Sequence, residues 1–268
     1  MLDWVGEVMG AKARPVARIQ RLWSGYGEIV RVALDDGRTV IVKSVKPPRV
    51  AASVSDTRKR RSYDVEQTFY ERYAARSRAR VATMFGARRD DGWTFILEDL
   101  DAEFPLRRDP ASGRALEACL AWLAKFHACF MGDAGEGLWE QGTYWHLATR
   151  LDELAIDPAR AHALDRQLAA ARFQTLLHGD AKEANFCFTR DASAVAAVDF
   201  QYAGRGCGMK DVAYLLHGHS DGHLDAYFRH LRASLRADVD ADALEAEWRA
   251  LFPTAQEDFA RFLAGWRG

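Results

Sequence analysis

An Asp, a Lys two residues on and an Asn three further stand together in His178-Gly-Asp180-Ala-Lys182-Glu-Ala-Asn185. A second Asp closes an apolar stretch, Ala194-Val-Ala-Ala-Val-Asp199-Phe200. These are the side chains that phosphoryl transfer from a nucleoside triphosphate requires. One carboxylate accepts or orients the proton of a hydroxyl. An amide oxygen and a second carboxylate hold Mg2+ over the triphosphate, and a Lys steadies the γ-phosphate as charge develops there. A hairpin returning from Asn185 to Asp199 would bring both metal ligands to one point, and both are the hard oxygen donors that Mg2+ takes. Taken singly, Asp180, Asn185 and Asp199 read as turn and cap residues. The spaced set favours the catalytic reading.

The elements that must position this set divide the chain in two. The front third is β-rich. Glu28–Leu34 and Arg38–Lys43 flank Asp35-Asp36-Gly37, and Val81–Arg89 and Trp93–Leu97 flank Asp90-Asp91-Gly92, so each reads as two strands around an Asp-Gly turn. Between these hairpins Val65, Phe69 and Tyr73 recur every four residues and predict a helix over Tyr63–Tyr73. The linker Pro47-Pro48 and the polar stretch to Arg61, with the run Arg58-Lys-Arg-Arg61, read as a solvated lead-in to it. Beyond about residue 110 the pattern turns helical. Arg114–Met131 carries Leu116, Leu120, Leu123, Phe126 and Phe130 on one face, and helical signals recur at 158–173, 209–217, 222–236, 241–251 and 255–266. Short strands at Thr175–Asp180, Asn185–Phe188 and Ala194–Phe200 interrupt them.

With these motifs the chain resembles the kinase-like superfamily of aminoglycoside phosphotransferases and choline kinases. The His-Gly-Asp loop and the Val-Asp-Phe-Gln strand are most similar to its ecdysteroid-kinase-like branch. The resemblance runs from about Arg21 to Leu216. It implies an α+β, two-lobed protein-kinase-like fold, with a small β-rich lobe over 1–100 and a larger, mainly helical lobe over 101–268. It implies ATP and Mg2+ in the cleft, Asp180 as the catalytic Asp, and Asn185 and Asp199 as metal ligands. Lys43 matches the phosphate-binding Lys and Glu66 the helix Glu that pairs with it. Gly25 and Gly27 match the nucleotide-covering loop, and Glu98 to Leu100 the hinge whose backbone takes adenine. Asp211 matches a structural Asp after the metal loop, and Leu123-Ala-Lys-Phe-His127-Ala a family helix. The chain departs from the pattern in several places. The loop has no third Gly, Gln201 stands at the DFG-type Gly, Gly179 stands where protein kinases carry Arg, and no Ala-Pro-Glu follows. The last two lower a protein-kinase reading. A nucleotide-binding pseudokinase or scaffold remains the rival from a different class. The expected acceptor is a small-molecule hydroxyl, on an aminoglycoside, a choline-like amine alcohol, a sugar or similar.

Composition narrows the partners. The 268 residues carry 37 basic and 38 acidic side chains for a net charge of -1, without the basic excess of a nucleic-acid binder. Residues 1–110 hold 21 basic and 16 acidic groups, the remainder 16 and 22, an asymmetry that suits two ligands meeting in a cleft. No apolar run approaches the roughly 20 residues that span a bilayer, and the start lacks a basic and an apolar region. Cys119, Cys129, Cys187 and Cys207 form no CxxC pair. The expectation is a reduced, cytoplasmic protein without membrane contact. His217-Gly-His219-Ser-Asp-Gly-His223 reads as an interhelical loop before it reads as a zinc site. His178 reads as structural. Trp122, Trp139, Tyr144 and Trp145 read as core first, and as a box for a quaternary ammonium second. Asp133, Glu136, Glu140, Asp152 and Glu153 would, with them, suit a cationic or sugar-like acceptor.

Overall fold

The computed structural model describes residues 1–22, 25–47, 53–107, 113–150 and 156–266. Pro48, Asp152 and Glu153, among the positions singled out above, lie outside them. A five-stranded antiparallel sheet is built from β1 (Ala13–Arg21), β2 (Gly27–Leu34), β3 (Thr39–Val45), β4 (Met84–Arg89) and β5 (Trp93–Glu98), in the order β1-β2-β3-β5-β4. Strand parity decides which face each side chain meets. Val40 and Val42 of β3 point outward, where with Val30, Val32 and Ile96 they pack under Val5 of the first helix, α1 (Leu2–Met9). Val45 points the other way, into the main core with Trp93, Phe95 and Leu97. Lys43 shares that inward parity on the central strand, where it sits opposite Ile29 and Phe95.

Against the inner face lies α2 (Val54–Arg72). It begins nine residues before the expected Tyr63. Ser53 caps it by accepting from the Asp56 N–H at 3.1 Å, as Ser does at an N-cap. Arg58–Arg61 is therefore helix rather than lead-in. Arg58 donates to the Thr149 carbonyl, Arg61 to those of Gly137 and Leu138. The stripe Val65, Phe69, Tyr73 is buried as its spacing predicts.

The remaining helices are α3 (Gly113–Cys129), α4 (Pro158–Ala169), α5 (Met209–Leu215), α6 (Leu224–Ser234) and α7 (Ala241–Gly265). The last is a correction. Helical signals at 241–251 and 255–266 belong to one helix that runs through Pro253. Leu244, Trp248, Phe252, Ala255, Phe259 and Phe262 keep a single buried face in phase across the proline. That packing outweighs one lost hydrogen bond. Two antiparallel ladders complete the chain: β6 (Thr175–Leu177) with β9 (Gly204–Gly206), and β7 (Phe186–Phe188) with β8 (Val195–Ala197). The fold is the two-part α+β arrangement expected. No described helix is long and apolar enough to cross a membrane.

Candidate active site

The β7–β8 hairpin places Asn185 one residue before its first strand and Asp199 two residues after its second. The Val198 N–H donates to the Asn185 carbonyl at 3.0 Å. An aromatic seam fixes the far side. Phe200 is fully buried, stacked on Phe69 of α2 at 3.8 Å between ring centroids and flanked by Trp122 and Phe126 of α3. With Phe200 held inward, Asp199 adopts a left-handed backbone, φ 69°, a conformation Asp tolerates better than most residues.

Lys43 reaches across to this point. Its Nζ lies 2.7 and 2.9 Å from the two Glu66 oxygens and 3.4 Å from Asp199 Oδ1. Lys43 and Glu66 are buried, and Asp199 is the accessible member, with 37% of its side chain exposed. Burial alone would lower the Lys43 ammonium. Asp199 and Glu66 beside it more than offset that and hold it above the ordinary lysine range. Burial pushes the Glu66 carboxyl upward while Lys43 and a hydrogen bond from Gln201 pull it back. Burial prevails, and the Glu66 carboxyl is raised to about 7. Gln201, at the DFG-type Gly position, also accepts from Ser62 Oγ at 3.2 Å, so it ties the segment after Asp199 to α2.

Asp180 forms the second focus. Its Oδ2 accepts from Lys182 Nζ and Asn185 Nδ2, both at 2.9 Å, and its Oδ1 from the Tyr214 hydroxyl at 3.2 Å. Asn185 Nδ2 also donates to the Asp180 carbonyl at 2.8 Å, which turns its other amide atom, Oδ1, away as an acceptor. Burial raises the Asp180 carboxyl and Lys182 opposes this. The loop beneath is rigid for identifiable reasons. Gly179 has φ 83°, and a Cβ there would stand 2.0 Å from the Tyr202 carbonyl oxygen, so only Gly fits. Asp211, at the start of α5, accepts from the His178 and Gly179 N–H groups at 2.7 and 3.0 Å and from His127 Nε2 at 3.2 Å. His178 Nε2 donates to the Val198 carbonyl and its Nδ1 accepts from the Asp180 N–H. Burial lowers the His178 imidazole and keeps it neutral. His178 and Asp211 thus hold the loop, as their structural readings expected.

Other expected residues take internal roles. Gly27 opens β2 so close to β3 that a Cβ would meet the Ser44 carbonyl oxygen at 1.9 Å, and Gly25 closes the turn by donating to Leu22. The Glu98 carboxylate accepts from Arg80 and from the Thr83 N–H at 3.0 Å; Leu100 is buried with Phe104 and Cys187. Trp122 and Trp145 are core, while Trp139 and Tyr144 are half-buried. Among the described residues no three His, Cys, Asp or Glu side chains gather as a metal cage. In the histidine loop, His217 meets Phe259 edge to face and His219 faces Glu183 at 3.7 Å. Sequence reasoning missed Tyr214 and Tyr202, since nothing in their spacing links them to Asp180.

A lysine–glutamate pair on a sheet and its helix, facing an Asp-Asn loop and an Asp after a short hairpin, defines the class of kinase-like phosphotransferases. Consistent with this, the sequence matches the phosphotransferase enzyme family over residues 18–253, and the chain belongs to that family. The match is to the broad family and does not single out the ecdysteroid-kinase-like branch. No curated protein matches significantly in sequence. Among solved structures the chain is similar to macrolide 2'-phosphotransferase MphH from Brachybacterium faecium, at 14% identity and TM-score 0.55, covering 97% of this chain and 92% of that one. It is also similar to choline kinase LicA from Streptococcus pneumoniae, at 11% identity and TM-score 0.53, covering 98% and 95%. Amicoumacin kinase hAmiN, in complex with AMP-PNP, Ca2+ and Ami, gives 15% identity and TM-score 0.56 over 90% and 80%.

Proposed function

We propose that the chain is an ATP- and Mg2+-dependent phosphotransferase that moves the γ-phosphate to a hydroxyl of a small molecule. In this reading residues 1–100 form the nucleotide lobe, with adenine against the backbone of Glu98 to Leu100 and the Gly25–Gly27 turn over the phosphates. Residues 101–268 carry the catalytic loop and the acceptor site. The observation that carries the reading is the Lys43 ammonium gripping Glu66 and Asp199 at once, with Asp180 and Asn185 hydrogen-bonded together on the neighbouring loop.

The residues fit the metal. Asp199 offers an accessible carboxylate and Asn185 an amide oxygen, and Mg2+ in phosphate sites takes one or two protein oxygens and fills the rest with phosphate and water. When bound, Mg2+ would neutralise charge on the phosphate oxygens. Lys43, braced by Glu66, would hold the α- and β-phosphates. Asp180 would accept the proton of the acceptor hydroxyl and aim its oxygen in line. Lys182, nearly half exposed, is long enough to turn from Asp180 toward the γ-phosphate. A pseudokinase would have no use for the full Lys43, Asp180, Asn185 and Asp199 set.

The test is transfer of radiolabel from γ-labelled ATP to a panel of small alcohols. Asp180→Ala should lower transfer by about 10²–10⁴-fold, the usual worth of a general base, with Mg·ATP binding retained. Equal transfer by the variant would overturn the assignment.

A further inference from the structure

Asp180 is held on both carboxylate oxygens, and the two sides differ. Oδ2 accepts from Lys182 Nζ and Asn185 Nδ2, both at 2.9 Å. A carboxylate oxygen offers about two lone pairs, so that side is full. Oδ1 accepts from the Tyr214 hydroxyl alone, at 3.2 Å, which leaves it one lone pair. A carboxylate held by one oxygen still swings about its last torsion, where the preference is broad. A donor on each oxygen stops that. Lys182, nearly half exposed, is the donor that can leave for the γ-phosphate. Asn185 keeps its Nδ2 on Asp180 while its Oδ1 faces away. Among the described residues Tyr214 is the one side chain that fixes the Oδ1 side.

The fold leaves Tyr214 no freedom to turn away. It follows Asp211 by three residues on α5, so both project from one face of that helix. Asp211 holds the backbone of the loop through the His178 and Gly179 N–H groups, and Tyr214 holds its side chain. The phenol ring is wedged between two buried rings, with centroids 4.9 Å from Trp145 and 4.5 Å from Phe259. Phe259 belongs to the buried face of α7, so the last helix helps to set where the hydroxyl lies. We propose that Tyr214 is a positioning residue for phosphoryl transfer, its hydroxyl pinning Asp180 Oδ1 so that the remaining lone pair of that oxygen meets the acceptor hydroxyl. In the step this serves, the proton of the acceptor hydroxyl passes to Oδ1 and the acceptor oxygen bonds the γ-phosphorus. The bond from that phosphorus to the bridging oxygen of ADP breaks. Tyr214 neither gives nor takes a proton; it acts through Asp180. The proposal rests on Asp180 being the base.

Tyr214→Phe keeps the ring and its packing and removes only the hydroxyl. Water serves as the probe acceptor. Release of labelled phosphate from γ-labelled ATP with Mg2+ is followed in the wild type, Tyr214→Phe, Asp180→Ala and the double variant. In the wild-type background the change should lower kcat about tenfold or more, the lower end of what a hydrogen bond to a charged group is worth. KM for ATP and the urea midpoint should stay close to wild type. In the Asp180→Ala background the same change should cost less than about twofold, because the group it acts through is gone. A purely structural role would cost the same in both. The proposal is overturned by equal losses in the two backgrounds, by a kcat within about twofold of wild type, or by a rise in KM in place of a fall in kcat. If Asp180→Ala releases too little phosphate to read, the split between kcat and KM decides. Failure of the parent reading shows separately, as phosphate release undiminished in Asp180→Ala.

Discussion

Replacing Asp211 with Ala removes the acceptor for three donors at once: the His178 and Gly179 N–H groups and His127 Nε2. Asp211, His127 and His178 are all fully buried, so water cannot take the carboxylate's place. Each buried donor left unpaired costs about 1–3 kcal/mol, and partial relaxation puts the loss at about 4 kcal/mol. A domain of this kind has about 5–15 kcal/mol in total, so the variant should fold with a much reduced margin. His127 Nε2 donating to Asp211 requires that its Nδ1 accept from the Tyr227 hydroxyl, 2.7 Å away. Tyr227→Phe therefore removes one bond from the same chain of contacts and should cost about 1 kcal/mol. Urea unfolding followed by tryptophan fluorescence reads both, with the slope against urea unchanged. A loss under about 1 kcal/mol for Asp211→Ala, or equal losses for the two variants, would refute the brace.

Three further outcomes are expected. Asp180 must be ionised to accept a proton, and burial raises its carboxyl while Lys182 lowers it. Lys182→Met should therefore move the acid limb of kcat/KM to higher pH, and an unmoved or lowered limb would contradict the pairing. His146 is held down to about 4 by burial and by Lys210, against an ordinary value of 6.5. A depressed histidine contributes stability above pH 6.5 and loses it as pH falls toward 4, here about 3 kcal/mol. His146→Gln should flatten that part of the stability profile, and an identical profile would count against it. Phe200→Ala should cost about 3–5 kcal/mol by emptying the seam between Phe69 and Trp122, measurable as a fall in the urea midpoint; a loss under 1.5 kcal/mol would mean that the seam collapses without strain.

The chemistry-bearing residues were legible because short apolar strands punctuate them. Phe186–Phe188 and Val195–Ala197 pair as their composition suggests, and that pairing sets Asn185 and Asp199 at one end. The inward direction of Lys43 follows from parity with Val45, which the alternation of β3 encodes. What sequence left hidden depends on packing. The first turns of α2 carry Arg58–Arg61, whose charge masked a helix that Ser53 caps and carbonyls at 137, 138 and 149 anchor. The helical signals at 241–251 and 255–266 read as two, and the shared face of α7 joins them through Pro253. The acidic residues at 133–140 looked like an acceptor lining, yet Asp133 is engaged by Arg76, in the short turn that follows α2. Partners this distant along the chain leave no local pattern.

The central claim is that Asn185 and Asp199 hold a metal between the protein and a triphosphate whose phosphates Lys43 grips. Calorimetric titration of AMP-PNP with and without Mg2+ tests it most directly, on the wild type and on Asp199→Asn. The wild type should bind far more tightly with Mg2+ than without it, and Asp199→Asn should lose most of that difference while its Mg2+-free affinity stays close to wild type. Nucleotide binding indifferent to Mg2+ in the wild type, or an undiminished Mg2+ effect in Asp199→Asn, would contradict the account.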